Sequence, residues 1–226
     1  MTKTYLEPEE ITMLEKETTN LRDRLLIHLL FHSGCRISEA LALKVEDIDF
    51  TQGTVTIEHL KTRLKLSCPE CGAGLGRSHK FCPNCGSSVE KAVAQEKEHR
   101  RVRTLPVDGH TLEMLRDFIR RDKTKGLIFK INRHRGWQVV KQCAEKAGLP
   151  KLVNPDTGKK RGISPHRLRD SFAVHAMKIN DSGDGLRLLQ EHLGHQSFNT
   201  TARYRKVAGG ELREWYKKLW QEKNGG

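Results

Sequence analysis

The stretch SPHRLRDSFAVHAMKI, residues 164–179, combines an amphipathic helical pattern with basic side chains suited to a functional site. Its apolar residues recur every three or four positions, as on one face of an α-helix: Leu168, Phe172, Ala176 and Ile179. It also carries His166 and Arg169, whose spacing on a helix directs both side chains toward one site. The stretch therefore predicts a helix that is buried on one face and presents basic, polar groups beside the core.

Similar helical periodicity extends in both directions from this stretch. It predicts helices near residues 8–18, 20–32, 112–119, 137–147, 186–193 and 211–222, and a short helix capped by Ser38. The clear β signals are the β-branched run Thr54–Ile57 and the later run Arg101–Leu105, with a cysteine-rich segment between them. We expect a mainly α fold with a small antiparallel sheet (α+β), in which one β-hairpin carries an inserted module.

Charge narrows the class of partner. The 226 residues include 41 Lys and Arg against 28 Asp and Glu, which gives a formal charge of +13. A protein this basic usually binds a polyanion, and nucleic acid is the first expectation. A harmless solvated basic surface is the simpler alternative. Apolar runs stay well short of the roughly 18 residues of a membrane span, so we expect no membrane partner.

Four of the six cysteines form a Cys-x2-Cys-x10-Cys-x2-Cys pattern: Cys68, Cys71, Cys82 and Cys85. Each CxxC pair is followed by a glycine, Gly72 or Gly86, which permits the tight turn of a zinc knuckle. Four thiolates would close the shell of one Zn²⁺, so this zinc is expected to be structural. A redox pair is the alternative, but it does not explain the repeat. We predict a zinc-ribbon module at 66–88 inserted into a domain formed by 1–65 and 89–226.

Four short motifs elsewhere carry chemistry suited to a phosphodiester. They are GCRISEAL at 34–41, SPHRLR at 164–169, LGH at 193–195 and TTARY at 200–204. Arg36 and Arg169 each offer a planar fork of donors for phosphate oxygens, and Tyr204 offers a hydroxyl nucleophile. Together and in this order, the motifs resemble those of the tyrosine recombinase (phage integrase) family. The resemblance covers most of the chain from Glu7 to about Gly210, apart from the cysteine module.

The resemblance implies roles for these residues. Tyr204 would attack a DNA phosphate to give a 3′-phosphotyrosyl intermediate, with Arg36 and Arg169 holding the phosphate. His166 would assist proton transfer and His195 would hydrogen-bond the phosphate. Neither ATP nor Mg²⁺ nor any other catalytic metal is expected, and religation to another strand would give site-specific recombination or integration. The implied setting is double-stranded DNA in the cytoplasm of a prokaryotic or virus-infected cell, with self-association into dimers or tetramers.

The family also implies a lysine on the hairpin that protonates the leaving 5′-oxygen. Lys61 matches best, with Lys65 and Lys97 as alternatives. Taken singly, each motif residue has a purely structural interpretation, such as a surface ion pair for Arg36 or a turn position for His195. Their joint order favours the catalytic interpretation.

Two departures from the family pattern are expected to matter. Most relatives carry an additional N-terminal DNA-clamping domain, whereas this sequence starts almost directly at the catalytic motifs. The zinc module is the second departure, and we expect it to add a DNA or protein contact. Basic clusters at 120–135, at 159–161 and at Arg100, Arg101 and Arg103 are expected to contact the DNA backbone. The competing functions are a type IB topoisomerase that nicks and reseals, and a zinc-containing DNA-binding protein without catalysis.

Overall fold

A computed structural model describes residues 3–76, 78–89, 93–154 and 157–208. The side chains of 59–65, 93–101 and 206–208 lie outside this description, as does the helix predicted at 211–222. The chain divides into two compact units, one formed by Met1–Ile57 with Arg103–Gly226 and the other by Glu58–Val102. Within the described residues, no helix combines the length and apolar character that a bilayer crossing requires.

Helices make up most of the first unit. In chain order they are α1 (Pro8–Lys16), α2 (Leu21–His32), α3 (Ile37–Ala42), α4 (Gly109–Asp122), α5 (Arg133–Lys146), α6 (Pro165–Ile179), α7 (Gly183–Leu193) and α8 (Phe198–Ala208). Polar side chains at the N-caps of four of them accept a hydrogen bond from a first-turn amide, which satisfies a donor that the helix leaves open: Asn20, Asp108, Asn132 and Ser182. Within the described residues of this unit, the predicted helices are confirmed.

The strands are β1 (Ile48–Asp49), β2 (Thr54–Ser67), β3 (Gly74–Leu75), β4 (Val93–Pro106), β5 (Leu152–Val153) and β6 (Lys160–Arg161). β2 pairs with β1 through Ile48↔Val55 and with β3 through Leu66↔Leu75, both antiparallel, and β4 also pairs with β2. The mainly α fold with a small antiparallel sheet is therefore confirmed. Each long strand has 14 residues, well beyond the short runs that the sequence suggested.

Two local predictions were wrong. Ser38 does not cap α3, because the helix begins at Ile37 and Arg36 is its N-cap. The Glu39 carboxylate, at the third helical position, reaches back to accept from the amide of the N-cap residue Arg36 at 2.8 Å. The segment 47–50, where the sequence predicted neither a helix nor a strand, contains β1 and the end of a 3-10 turn.

Helix α2 forms the centre of the main core. Five of its residues, Leu25, Leu26, Ile27, Leu29 and Leu30, are buried almost completely, and the helix contacts α1, α4 and α6. A second apolar cluster lies under α6, α7 and α8, where Ala173, Met177, Leu186, Leu189 and Leu193 pack together. Helix α6 thus contacts both cores, which fixes the polar residues along its length relative to α2 and α8.

His28 on α2 is the centre of a buried hydrogen-bond network in the main core, formed with Glu15 and Thr111. Its Nδ1 lies 2.8 Å from the buried Glu15 carboxylate on α1, and its Nε2 lies 3.0 Å from the Thr111 hydroxyl on α4. The Thr111 hydroxyl donates its proton to Asp108, so it can only accept from the imidazole. The His28 ring therefore ties three helices together.

Replacing His28 with alanine should destabilise the protein by about 3 kcal/mol, because the Glu15 carboxylate would stay buried without its main partner. The measurement is the free energy of unfolding from urea titration at neutral pH. The matched control is His134→Ala, at an exposed histidine on α5, which should change the free energy by less than about 0.5 kcal/mol. Equal losses of unfolding free energy in the two variants would contradict the stabilising role of the buried His28 network.

Candidate active site

The Arg169 guanidinium lies at the centre of the site and is only 2% exposed. It donates to the Gly34 carbonyl and to the Leu193 carbonyl, both at 2.7 Å. A third contact joins its Nη2 to His195 Nε2 at 3.1 Å. Burial and the nearby charge of Arg36 lower the pKa of Arg169 to about 10, so it stays charged at neutral pH. Arg169 therefore ties the turn after α2 to the C-terminal turn of α7.

Both turns that Arg169 holds depend on glycine. Gly34 and Gly194 have φ of 58° and 64°, in the left-handed region that other residues rarely adopt. A Cβ on Gly34 would clash with the Phe172 ring, and one on Gly194 would lie 3.0 Å from Arg103 Nη1. The glycines thus allow the backbone carbonyls and the neighbouring side chains to crowd around the guanidinium.

Arg36 lies at the start of α3 with its side chain 34% exposed. Its Nη1 donates to Glu39 Oε1 at 2.8 Å, and Glu39 itself is buried. Burial alone would raise the pKa of Glu39, but hydrogen bonds from Arg103 and Arg36 outweigh it and lower the pKa to about 2. The ionised carboxylate anchors one side of the Arg36 fork, and the exposed fraction of the guanidinium remains open to a ligand.

His195 is held between Arg169 and Thr201. Since arginine only donates, His195 Nε2 must accept from Arg169, so the ring proton is on Nδ1 and points to Thr201 Oγ1 at 2.9 Å. Burial and then the charges of Arg169 and Arg36 lower the pKa of His195 to about 4. The ring is neutral at pH 7 and braces Arg169.

The Tyr204 hydroxyl, on α8, donates to Asp170 Oδ1 at 2.9 Å. Its ring stacks on His195 with centroids 6.2 Å apart. Burial, then the charge and hydrogen bond of Asp170, raise the pKa of Tyr204 well above its ordinary value, while Arg169 acts in the opposite direction. The phenol is therefore protonated, and its proton is directed to a carboxylate on α6.

His166 and Arg169 do not share one environment, although their spacing predicted it. The His166 side chain is 74% exposed, and its Nε2 lies 3.7 Å from Asp170 Oδ1. Asp170 also pairs with Arg167 at 3.1 Å. Arg169 is buried on the neighbouring face of α6, so His166 approaches the Tyr204 hydroxyl through Asp170.

The structure thus brings Arg36, Arg169, His195 and Tyr204 into one network within the first unit, with His166 at its edge. A model of the phage integrase family matches residues 5–69 and 88–210, which is most of the chain. The chain belongs to the phage integrase family. A zinc-ribbon domain model matches the residues in between, 67–89.

Several named relatives of this integrase-family chain are tyrosine recombinases. XerD of Corynebacterium glutamicum is 31% identical over 86% of this chain and 51% of its own length. XerC of Syntrophus aciditrophicus is 30% identical over 93% of this chain and 57% of its own length. XerA of Pyrococcus horikoshii is 28% identical over 92% of this chain and 59% of its own length. The chain therefore spans just over half the length of these relatives.

Solved structures agree on the fold. A crystal structure of XerA recombinase superposes with a TM-score of 0.63 at 18% identity, covering 97% of this chain and 64% of that chain. The XerH site-specific recombinase bound to its difH substrate gives 0.57 at 22% identity, covering 90% of this chain and 50% of that one. The first unit therefore has the fold of an integrase-family catalytic domain.

The four cysteines of the second unit converge as a zinc ribbon requires. All four Sγ atoms lie within 4.8 Å of one another, and the cross pairs Cys68–Cys85 and Cys71–Cys82 are 3.7 and 3.6 Å apart. These distances are too long for a disulfide and match the edge of about 3.8 Å of a tetrahedron with Zn–S bonds of about 2.3 Å. The donor set thus fits structural zinc. The two remaining cysteines, Cys35 and Cys143, are buried.

The candidate lysines lie on the long strands of the hairpin. Lys61 and Lys65 are on β2 and Lys97 is on β4, and these three side chains lie outside the described residues.

Sequence reasoning missed three residues that complete the network: Glu39, Asp170 and Arg103. Glu39 could have been recognised from its position three residues after Arg36, and Asp170 from its position four residues after His166. The sequence assigned Arg103 only to a basic cluster that was expected to contact the DNA backbone. The Arg103 guanidinium forms a buried pair with Glu39, at 2.7 Å between Nη2 and Oε2.

Replacing Asp170 with asparagine should lower the pKa of Tyr204, because the negative charge beside the hydroxyl disappears while burial is retained. Ultraviolet difference titration of the phenolate measures this, with Tyr204→Phe used to subtract the other tyrosines. Asp184→Asn, an exposed change at the start of α7, is the control and should leave the pKa in place. An unchanged pKa in Asp170→Asn would contradict the Tyr204–Asp170 hydrogen bond.

Proposed function

We propose that this protein is a site-specific DNA recombinase that cleaves and rejoins strands through a 3′-phosphotyrosyl intermediate on Tyr204. Its membership of the phage integrase family and its similarity to named tyrosine recombinases support this function. The observation that carries it is the stacking of Tyr204 on His195, which in turn braces the buried Arg169. A nucleophile and a phosphate-binding guanidinium thus share one small volume.

Arg36 and Arg169 stabilise the charge that develops on the scissile phosphate. Arg36 and Arg103 pair with the buried carboxylate of Glu39, and Arg169 lies close by. Even with the Asp170 carboxylate counted, these three guanidiniums leave the site with excess positive charge. A pentacoordinate phosphorane carries more negative charge on its oxygens than the ground state, so fixed cations lower the barrier. The reaction therefore needs neither ATP nor Mg²⁺.

The covalent step conserves atoms and charge. The Tyr204 oxygen forms a bond to phosphorus as the 5′-oxygen of the next nucleotide leaves, and the energy of the phosphodiester passes to the phosphotyrosine. The Tyr204 proton moves toward Asp170, its hydrogen-bond acceptor at rest, with His166 assisting from the solvent side. Lys61 protonates the leaving 5′-oxygen. Attack by a 5′-hydroxyl of another strand reverses the step and completes strand exchange.

His195 acts mainly by holding Arg169. In its present tautomer the Nε2 lone pair is occupied by Arg169 and the Nδ1 proton by Thr201. A direct hydrogen bond to phosphate, which the family resemblance implied, therefore requires the ring and Arg169 to change partners when DNA binds.

Double-stranded DNA is the partner, bound in the cytoplasm of a prokaryotic or virus-infected cell, and recombination requires two or more copies on DNA. The basic residues of α4 and its C-terminal turn, Arg116, Arg120, Arg121 and Lys123, are partly or fully exposed and suit backbone contacts. Such contacts give affinity and salt dependence without choosing a sequence.

The decisive experiment uses a nicked suicide duplex that traps the covalent adduct. The wild-type chain should form an adduct resistant to denaturing gel electrophoresis, and Tyr204→Phe should reduce it by roughly a thousandfold or more, because the nucleophilic oxygen is gone. Tyr5→Phe is the matched control and should cleave like the wild type.

Two other outcomes of this experiment would indicate a different function. Adduct formation with supercoil relaxation but no strand exchange would indicate a type IB topoisomerase. DNA binding with no adduct in the wild type would indicate a binding protein without catalysis and would overturn the proposed function.

A single Zn²⁺ held by Cys68, Cys71, Cys82 and Cys85 stabilises the ribbon. A segment this small has little apolar core, so metal binding supplies much of its folding free energy. Cys68→Ser should reduce the metal content from a single ion per chain to near zero and make residues 67–89 sensitive to protease. Cys143→Ala, at a buried thiol on α5, should keep its zinc. A wild-type chain purified without chelators that carries no zinc would contradict this role.

A further inference from the structure

Arg103, near the end of β4, is a third arginine in the site. Its side chain is 15% exposed. Its guanidinium donates from Nη1 to Glu39 Oε1 at 3.2 Å and from Nη2 to Glu39 Oε2 at 2.7 Å. This forked geometry uses the planar shape of the guanidinium, which a lysine cannot reproduce.

Glu39 serves Arg36 and Arg103 equally. Its Oε1 accepts from Arg36 Nη1 and from Arg103 Nη1, and its Oε2 accepts from the Arg36 amide and from Arg103 Nη2. The carboxylate is almost completely buried. Its orientation therefore depends on Arg103, and the position of the Arg36 side chain depends on that orientation.

Arg103 also touches the turn that carries His195. A Cβ added at Gly194 would lie 3.0 Å from Arg103 Nη1 and 3.4 Å from its Cζ. The guanidinium thus lies directly against the backbone of the residue before His195. One side chain on β4 contacts the supports of Arg36 and of His195.

Stability alone does not account for this placement. Arg103 brings a third positive charge close to Arg36 and Arg169, which is unfavourable before an anion binds. Among the described residues, Arg103 Nε is buried without a hydrogen-bond partner. A buried donor left unpaired costs free energy. A side chain held at such a cost, with its fork directed at Glu39, points to a role in the site.

We propose that Arg103 is a positioning residue, which fixes the Arg36 guanidinium through Glu39 and fixes the His195 turn through its contact with Gly194. The inference rests on the proposed strand-cleavage function. Because both of its terminal nitrogens donate to the Glu39 carboxylate, we assign Arg103 no phosphate contact of its own. Its effect on the reaction is therefore indirect.

The test measures single-turnover adduct formation on the nicked duplex by Arg103→Met and Arg103→Lys. Misplacing a phosphate-binding group by about 1 Å can reduce a rate by roughly a hundredfold. Arg103→Met should therefore cleave about a hundredfold more slowly than the wild type, with the dissociation constant for DNA changed by less than about threefold. Arg103→Lys restores charge without the fork and should lie between the two.

A pH profile separates positioning from a general loss of stability. Removing Arg103 removes hydrogen bonds and charge that keep Glu39 ionised, while its burial remains, so the Glu39 pKa rises from about 2. When Glu39 is protonated, one of its oxygens carries the proton and accepts hydrogen bonds less well, so Glu39 holds Arg36 less firmly. The Arg103→Met rate should therefore fall more steeply than the wild-type rate as the pH is lowered from 7 to 5.

Met114→Ala, a core change on α4 away from the site, is the control for destabilisation and should lower the melting temperature without changing the cleavage rate or its pH profile. If Arg103→Met does not fold, Arg103→Lys alone carries the test through its rate and pH profile. The inference alone would be overturned if the wild-type chain forms adducts and a folded Arg103 variant cleaves within twofold of the wild-type rate, with the same pH profile. A wild-type chain that forms no adduct would overturn the proposed function instead.

Discussion

The buried guanidinium of Arg169 is the interaction on which the site depends. Taking this charge out of water is costly, and two backbone carbonyls, those of Gly34 and Leu193, compensate by accepting at 2.7 Å. These carbonyls belong to segments nearly 160 residues apart in sequence, and each follows or ends a helix packed against α6. Arg169 can be satisfied only when α2, α6 and α7 are packed together. Assembly of the fold and assembly of the site are thus one event.

The charges in the site favour an anionic ligand. Three guanidiniums, those of Arg36, Arg103 and Arg169, exceed the two carboxylates of Glu39 and Asp170, and the neighbouring imidazole of His195 is kept neutral because burial and the arginines lower its pKa to about 4. A neutral imidazole can accept from Arg169, which a protonated one cannot. The low pKa of His195 therefore preserves the geometry of Arg169, and a bound phosphate would balance the remaining positive charge.

The parts of the site that follow from local pattern could be predicted from the sequence, and the parts made by distant contacts could not. Helical periodicity placed Arg169 on a buried helix, and the CxxC repeat indicated the zinc ribbon. Arg103 and Glu39 are 64 residues apart and Tyr204 and Asp170 are 34 apart, so no spacing rule connects them. The long strands β2 and β4 were underestimated because their charged residues obscure the alternation that marks a strand.

The hydrogen bond from Tyr204 to Asp170 sets the protonation state of the phenol at rest. The Asp170 carboxylate accepts the Tyr204 proton and, with burial, raises the pKa of the phenol, so an isolated chain holds Tyr204 in its unreactive, protonated form. In the proposed reaction, the same carboxylate is the acceptor toward which that proton moves during attack. The phenol oxygen would lose its proton as it gains a bond to phosphorus. The contact that restrains Tyr204 at rest would then be the one that accepts its proton, and Arg167 and His166 lie beside Asp170 at 3.1 and 3.7 Å.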